Sequence, residues 1–150
     1  MVIYFGADHG GFALKETLRD FVREAGYEVY DFGAASYQKD DDFPDFAKAV
    51  AEKVSQEPER SRGVLLCRSG VGMDIVANKF RNVRSVLGIS PDQVYAARHD
   101  DSANVLSIAA DITQENDAKK MVQIFLETPF AGEERYMRRL EKIMHIENKE

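Results

Sequence analysis

The chain holds a single cysteine, Cys67, in the run Arg62-Gly63-Val64-Leu65-Leu66-Cys67-Arg68-Ser69-Gly70-Val71-Gly72-Met73. Val64-Leu65-Leu66 is too brief for a helix and is bounded by Gly63, so it reads as a buried strand that delivers Cys67 to its C-terminal end. Ser69, Gly70 and Gly72 form a small-residue turn, and Val71, Ile75, Val76 and Phe80 then recur at helical spacing. The first turn of a helix carries backbone N–H groups with no internal partner and the positive end of the peptide dipoles. Glycines let a ligand approach that bare backbone, so an anion is stabilised at Gly70–Met73. A thiol in the same place ionises more readily. A base beside an oxyanion cradle is what proton abstraction next to a carbonyl requires. The competing reading of Cys67 is a small, buried strand-end residue without chemistry.

The elements that must position this turn follow from local patterns. Val2–Phe5 reads as a first strand, and Gly6-Ala7-Asp8-His9-Gly10-Gly11 follows it. Phe12, Leu14, Leu18, Phe21 and Val22 share a helical face that ends before Gly26, which suits a left-handed helix terminus. Tyr27–Phe32 is a second strand. The acidic stretch Ser36–Asp45 is a loop, and Pro44 or Asp45 opens a helix carrying Phe46, Ala47, Val50, Ala51 and Val54. Val83–Ile89 is a fourth strand, with Ser90 as N-cap and Pro91 at the first position of a short helix running to about Asp100. Asn104–Ala109 is the fifth strand, Asp117–Thr128 an amphipathic helix, and a last helix carries Tyr136, Met137, Leu140, Ile143 and Met144.

Alternating strands and helices predict a Rossmann-like, three-layer α/β/α fold on a five-stranded parallel sheet. Ligands of such sheets bind beyond the strand C-termini where the strand order reverses. Asp8-His9 and Cys67–Gly72 both fall at strand C-termini and are expected in one crevice. The last helix adds Arg135, Arg138, Arg139 and Lys142 to a wide apolar stripe. It is expected to pack on a partner subunit, the alternative being its own sheet.

With 150 residues and no internal repeat or linker, one domain over residues 1–150 is expected. A net charge of −6 argues against nucleic acid as a partner. One cysteine cannot form an internal disulfide, no apolar run reaches membrane-spanning length, and Val2–Phe5 lacks the basic lead of a signal peptide. The cytoplasm is the expected compartment, with no membrane association. His9, His99 and His145 are isolated, with no Cys-x-x-Cys, so no metal and no cofactor are expected.

Taken together, Ala7-Asp8-His9-Gly10-Gly11-Phe12, Asp42-Phe43-Pro44-Asp45-Phe46-Ala47, Cys67-Arg68-Ser69-Gly70-Val71-Gly72-Met73, Ala77-Asn78-Lys79, Ala103-Asn104-Val105-Leu106 and Arg135–Ile143 resemble the type B ribose-5-phosphate isomerases and the galactose-6-phosphate isomerase subunits. The resemblance spans nearly the whole chain. It implies a metal-independent aldose–ketose isomerase of a phosphorylated sugar, working as a homodimer or tetramer with sites shared between subunits. It assigns Cys67 as the base that moves a proton between C1 and C2 through an enediolate. Ser69 assists the base or the developing oxygen charge, and the backbone N–H groups of Gly70, Val71 and Gly72 meet the enediolate oxygen. Asp8 contacts the ring oxygen or hydroxyls. His9 holds the phosphate, with Arg135 and Arg139 supplied by a partner.

Four features depart from the family pattern. Arg68 replaces a glycine, and Phe43 a tyrosine. The family Gly-Gly-Arg-His is Glu133-Glu134-Arg135-Tyr136, after a turn longer by one residue. The family His-Asn-Asp becomes Asp100-Asp101-Ser102, so the ring-opening histidine aligns with Asp100. His99 lies one position away, about 100° around a helix, and serves only if the helix has ended there. Arg68 is expected to pair with Asp100 or Asp101, or else to bind an extra anionic group of the substrate. Loss of the histidine points to a short or open-chain sugar phosphate, and leaves a second reading, a non-catalytic sugar-phosphate binder or a subunit of a hetero-oligomeric isomerase. A dinucleotide-binding reading is weak, because position 75 is Ile and the turn follows strand three.

Overall fold

Val2–Ala7 (β1) pairs in parallel with both Glu28–Asp31 (β2) and Ser61–Cys67 (β3). Ser85–Leu87 (β4) pairs with Val105–Ala109 (β5), which in turn pairs with β3. The computed structural model describes residues 1–149, and in it these strands form one all-parallel sheet in the order β2-β1-β3-β5-β4. The helices are Phe12–Glu24 (α1), Phe43–Gln56 (α2), Val71–Ala77 (α3), Pro91–Asp101 (α4), Glu115–Glu127 (α5) and Glu134–Glu147 (α6).

Strand side chains alternate between faces, and each face has its own apolar layer. Ile3, Phe5, Val64, Leu66, Leu106 and Ile108 pack under Leu18 and Val22 of α1, Val94 of α4 and Met121 and Phe125 of α5. Leu65, Cys67 and Val105 face the other way, onto Val50 and Val54 of α2 and Met73 and Ala77 of α3. A sheet covered on both faces gives continuous apolar strands, as Val64-Leu65-Leu66 shows. The three-layer architecture is the one expected.

Local chemistry sets the helix starts. The Ser90 hydroxyl accepts the Gln93 N–H at 3.2 Å, and Pro91 follows at the first helical position. β4 is shorter than expected, because the Arg84 N–H donates to the Asn104 side chain at 2.8 Å instead of to a strand neighbour. α1 carries an unexpected feature: Lys15 is fully buried. Its ammonium donates to Asp31 Oδ2 at 2.8 Å and to the Ala34 carbonyl at 3.3 Å. This pair ties α1 to the end of β2.

α6 lies against α4, and Glu147 accepts the Asn82 N–H at 3.2 Å. Only Tyr136 of this helix is buried, while Met137, Ile143, Met144 and Ile146 are exposed. No helix among the described residues is long and apolar enough to cross a membrane.

Candidate active site

The strand order reverses between β1 and β3, which lie side by side. Asp8 follows β1 and its N–H donates to the Leu66 carbonyl at 3.3 Å; Cys67 ends β3. The two turns therefore meet. Arg68 lies so close over Gly10 that a Cβ there would come within 3.0 Å of the Arg68 backbone and overlap its stem. Glycine at position 10 is what lets the loops touch.

Cys67 is 5% exposed, and its Sγ accepts the Gly70 N–H at 3.1 Å. Gly70 reaches that geometry with φ +73, where a side chain would also strike Leu87 and the Ile108–Ala109 backbone. The expected cradle is thus partly turned onto the chain itself. The Gly70 N–H serves the sulfur, and the Val71 N–H makes a long 3.4 Å contact with Ser69 Oγ. The Gly72 N–H has no protein acceptor among the described residues. The Phe43 ring covers Gly72, where a Cβ would meet it at 2.6 Å. α3 has only seven residues, and Val71 and Ile75, expected on its apolar face, are exposed; Met73 and Ala77 face the core instead.

Asp8 is nearly buried, and its Oδ1 accepts the N–H groups of Gly10 at 2.9 Å and Gly11 at 3.3 Å. His9 is held by a residue that sequence reasoning placed only in an acidic loop. Asp41 Oδ1 sits 2.7 Å from His9 Nδ1 and accepts the His9 N–H at 2.9 Å. The Asp41 hydrogen bond raises the imidazole above its ordinary pKa, with Asp8 adding to it and Arg68 working against it. Candidate ligand atoms of Asp8, His9 and Asp41 lie within 4.8 Å of one another. His9 Nδ1 and Asp41 Oδ1 are already bonded to each other, so the group holds an imidazole in place. Asp41 Oδ2 is buried with no partner among the described residues.

Arg68 does not meet Asp100 or Asp101. Its Nε lies 3.3 Å from Asp111 Oδ2, beyond β5, in an exposed pair. β5 neighbours β3, and the Asp111 N–H donates to the Arg68 carbonyl at 3.0 Å, so the nearest acid is the one that follows β5.

The remaining expected residues form a second group on α4 and α6. α4 continues through Asp101, so the helix has not ended before His99. The His99 ring stacks on Tyr95 at 5.3 Å, meets Tyr136 edge-on at 5.9 Å, and its Nδ1 lies 2.7 Å from Asp100 Oδ1. That contact, with help from Tyr136, holds the Asp100 carboxyl below its usual range, while burial raises Asp101. Arg135 donates to the Tyr136 hydroxyl at 2.9 Å and pairs with Glu133 at 3.1 Å; Arg139 lies 5.7 Å from the Tyr136 ring centre. Among the described residues no hydrogen bond, ion pair or ring contact joins this group to Cys67 or His9. Of the second group, Tyr136 was legible as an apolar helix residue and as the replacement of a family histidine, but not as the ring that His99, Asp100 and Arg135 share.

Fold and site together define a Rossmann-like α/β protein with a crevice at the reversal of strand order. The family model described as Ribose/Galactose Isomerase matches residues 3–143. A Mycoplasma genitalium protein named probable ribose-5-phosphate isomerase B is 34% identical over 145 residues, which is 97% of this chain and 95% of that protein. Ribose-5-phosphate isomerase B of Escherichia coli K12 is 35% identical over 98% of this chain and 97% of its own. The crystal structure of the Mycoplasma genitalium isomerase with bound ribulose-5-phosphate superposes with TM-score 0.96, covering 99% of this chain and 97% of that one. Type B ribose 5-phosphate isomerase of Trypanosoma cruzi, 37% identical, gives 0.94 over the full length of both chains. The chain belongs to the ribose/galactose isomerase family, and with it to the sugar-phosphate isomerases.

Proposed function

We propose that the chain interconverts an aldose and a ketose phosphate through an enediolate, with ribose 5-phosphate and ribulose 5-phosphate as the default pair. The observation that carries this reading is the Cys67 sulfur at the end of β3. It receives a backbone N–H and stands beside the Asp8-His9 turn of β1. Cys67 as thiolate takes the proton from C2 of the aldose, and the electron pair moves onto the C1 oxygen. The thiol then gives a proton to C1, either the one it abstracted or one exchanged with solvent, while the C2 hydroxyl proton passes to the C1 oxygen, so the isomer keeps the atoms it began with. Ser69 Oγ and the free Gly72 N–H are the groups for the enediolate oxygen. Asp8, fixed by two backbone donors, meets sugar hydroxyls, and the buried Asp41 Oδ2 is a further acceptor.

His9, whose imidazole Asp41 raises above its ordinary pKa, meets the phosphate from this chain. Arg135 and Arg139 belong to the α4–α6 group and would reach the phosphate of a partner's site. The exposed Ile143 and Ile146 of α6 support self-association, and so do Val71 and Ile75 beside Cys67. Guanidinium forks suit a phosphate dianion.

A second reading concerns the substrate. Asp100 stands where the resemblance puts a ring-opening histidine, and His99 is engaged with Tyr95 and Asp100. An open-chain sugar phosphate needs no ring opening. The test is a panel of aldose and ketose phosphates in heavy water, with exchange of the C2 proton followed by NMR. Exchange with tetrose phosphates but not ribose 5-phosphate selects the open-chain reading. No exchange with any of them, alongside measurable binding, leaves a sugar-phosphate binder or a subunit that needs a different chain.

A further inference from the structure

The opposite end of the sheet carries a second concentration of charge. Arg62 stands one residue into β3, Arg84 directly precedes β4, and Arg98 lies in the last turns of α4. At about 3.3 Å per residue, the strand from Arg62 to Cys67 spans roughly 16 Å, so this is not the crevice described above. The three arginines line one cavity of about 550 Å³, walled on the α6 side by Met137, Leu140 and Met144. That volume lies within the ordinary range of small-molecule pockets.

The guanidiniums are close-set and under-used. Arg98 is 3% exposed. Among the described residues, no carboxylate comes within ion-pair distance of any of the three. Each guanidinium has five N–H donors. Among the described residues, they together meet only the carbonyls of Pro58, Ser61, Ser102, Ala103 and Thr128. Burial, then repulsion from Arg62 and Arg84, pushes Arg98 down to about 10. Burial lowers Arg62 and Arg84 as well. Glu59 and Glu141 also line the cavity, and Glu59 acts on all three arginines only from longer range, as Glu147 does on Arg84. Like charges held together without a neutralising acid are relieved by an anion, and planar forks bind phosphate oxygens in pairs.

We propose that this cavity binds a small phosphate-bearing anion, its phosphate on Arg62, Arg84 and Arg98 and its remaining atoms against Met137, Leu140 and Met144. The inference does not depend on the chemistry assigned to Cys67.

Inorganic pyrophosphate is the probe, titrated into the full chain labelled with 13C-methyl methionine. Met137 and Met144 report on the cavity, and Met73, packed beside Cys67, on the other end of the sheet. The Met137 and Met144 signals should shift to saturation, and should still do so in His9→Ala, which removes a phosphate contact of the proposed active site. Arg62→Ser should weaken the cavity response at least about tenfold, the loss of one charged fork, with sugar-phosphate turnover unchanged. Glu59→Gln, which removes an opposing negative charge and no arginine, should tighten it. Movement of Met73 alone, or equal affinity in Arg62→Ser and the parent chain, overturns the proposal. A cavity already filled by a partner chain would give still Met137 and Met144 signals and would overturn it too.

Discussion

The strand-end group around Cys67 and the helix-surface group around Tyr136 are built in opposite ways. Cys67 and Asp8 are 5% and 6% exposed, and their neighbours are backbone amides fixed by the sheet. Arg135 is 57% exposed at its side chain, and its partners are the neighbouring Tyr136 and Glu133. The first group has its geometry before any ligand arrives. The second is a store of charge on long side chains, pre-aligned by stacked rings and joined to neither Cys67 nor His9 by any contact among the described residues. On the proposed reading, the reacting atoms sit on backbone fixed by the sheet, while Arg135 and Arg139 lie on a surface that a second subunit would bring up to the phosphate.

The sharpest way to break this contrast is to disable one half at a time. Cys67→Ala should lower turnover of the best sugar phosphate by about 10² to 10⁴, the usual contribution of a positioned base, with phosphate-ligand binding largely intact by calorimetry. An Arg135→Ala/Arg139→Ala chain should also be inactive at low substrate. If the halves meet across subunits, mixing the two inactive chains under exchange conditions restores a fraction of the turnover, because some mixed dimers hold one undamaged site. Two inactive chains that stay inactive after verified exchange would place both halves in the same subunit.

The stiffness of the strand-end half has its own anchor. Lys15 and Asp31 join α1 to β2, and removing one member of a buried pair costs about 3–5 kcal/mol. Lys15→Met should therefore lower the unfolding free energy read from denaturant titration by up to that margin, far more than any α6 substitution. Burial opposes ionisation of Asp31, but Lys15, the Gly33 amide and Arg19 outweigh it and hold its carboxyl below the usual range. A lowered carboxylate contributes stability that is complete above its unfolded value and is lost as pH falls through the folded one. The acid arm of the stability curve should be shallower in Asp31→Asn than in the parent chain.

What the sequence disclosed and what it hid divide along the same line. The Cys67 turn, the Asp8-His9 turn and their meeting were legible, because each depends on a short pattern and a parallel sheet does the rest. Lys15 read as one of the charges between apolar positions, since its partner Asp31 is found only when β2 is placed beside β1. Among Asp40, Asp41 and Asp42 nothing local singles out the residue that reaches His9. Arg68 pairs with Asp111 rather than Asp100 because β5, not the end of α4, neighbours β3. Val71 and Ile75 keep helical spacing yet face outward, as a two-turn helix buries only Met73 and Ala77.

The Asp41–His9 pair sharpens the comparison at a smaller scale, by giving the rigid half a charge of its own. A histidine raised above its ordinary value stays cationic to higher pH and releases a bound phosphate as pH rises through that value. In Asp41→Asn the rise in KM should begin at lower pH, with KM between the two onsets increased by roughly three- to tenfold and kcat nearly unchanged. A kcat effect as large as the KM effect would mean that Asp41 acts on the reacting carbons and not on the phosphate.

The smallest effect is expected at Arg68–Asp111, and its size decides what Arg68 is for. Both side chains are more than half exposed, at 70% and 53%, and an exposed pair is worth less than about 1 kcal/mol. Asp111→Ala should leave the denaturant midpoint almost unmoved, so any loss of turnover cannot come from unfolding. Freed of Asp111, Arg68 remains beside Gly10, and its charge then acts unopposed on His9. If Arg68 only stabilises the loop, Arg68→Ala and Asp111→Ala behave alike. If it recognises an anionic group of the substrate, Asp111→Ala lowers KM and Arg68→Ala raises it, opposite signs that a purely structural ion pair cannot produce.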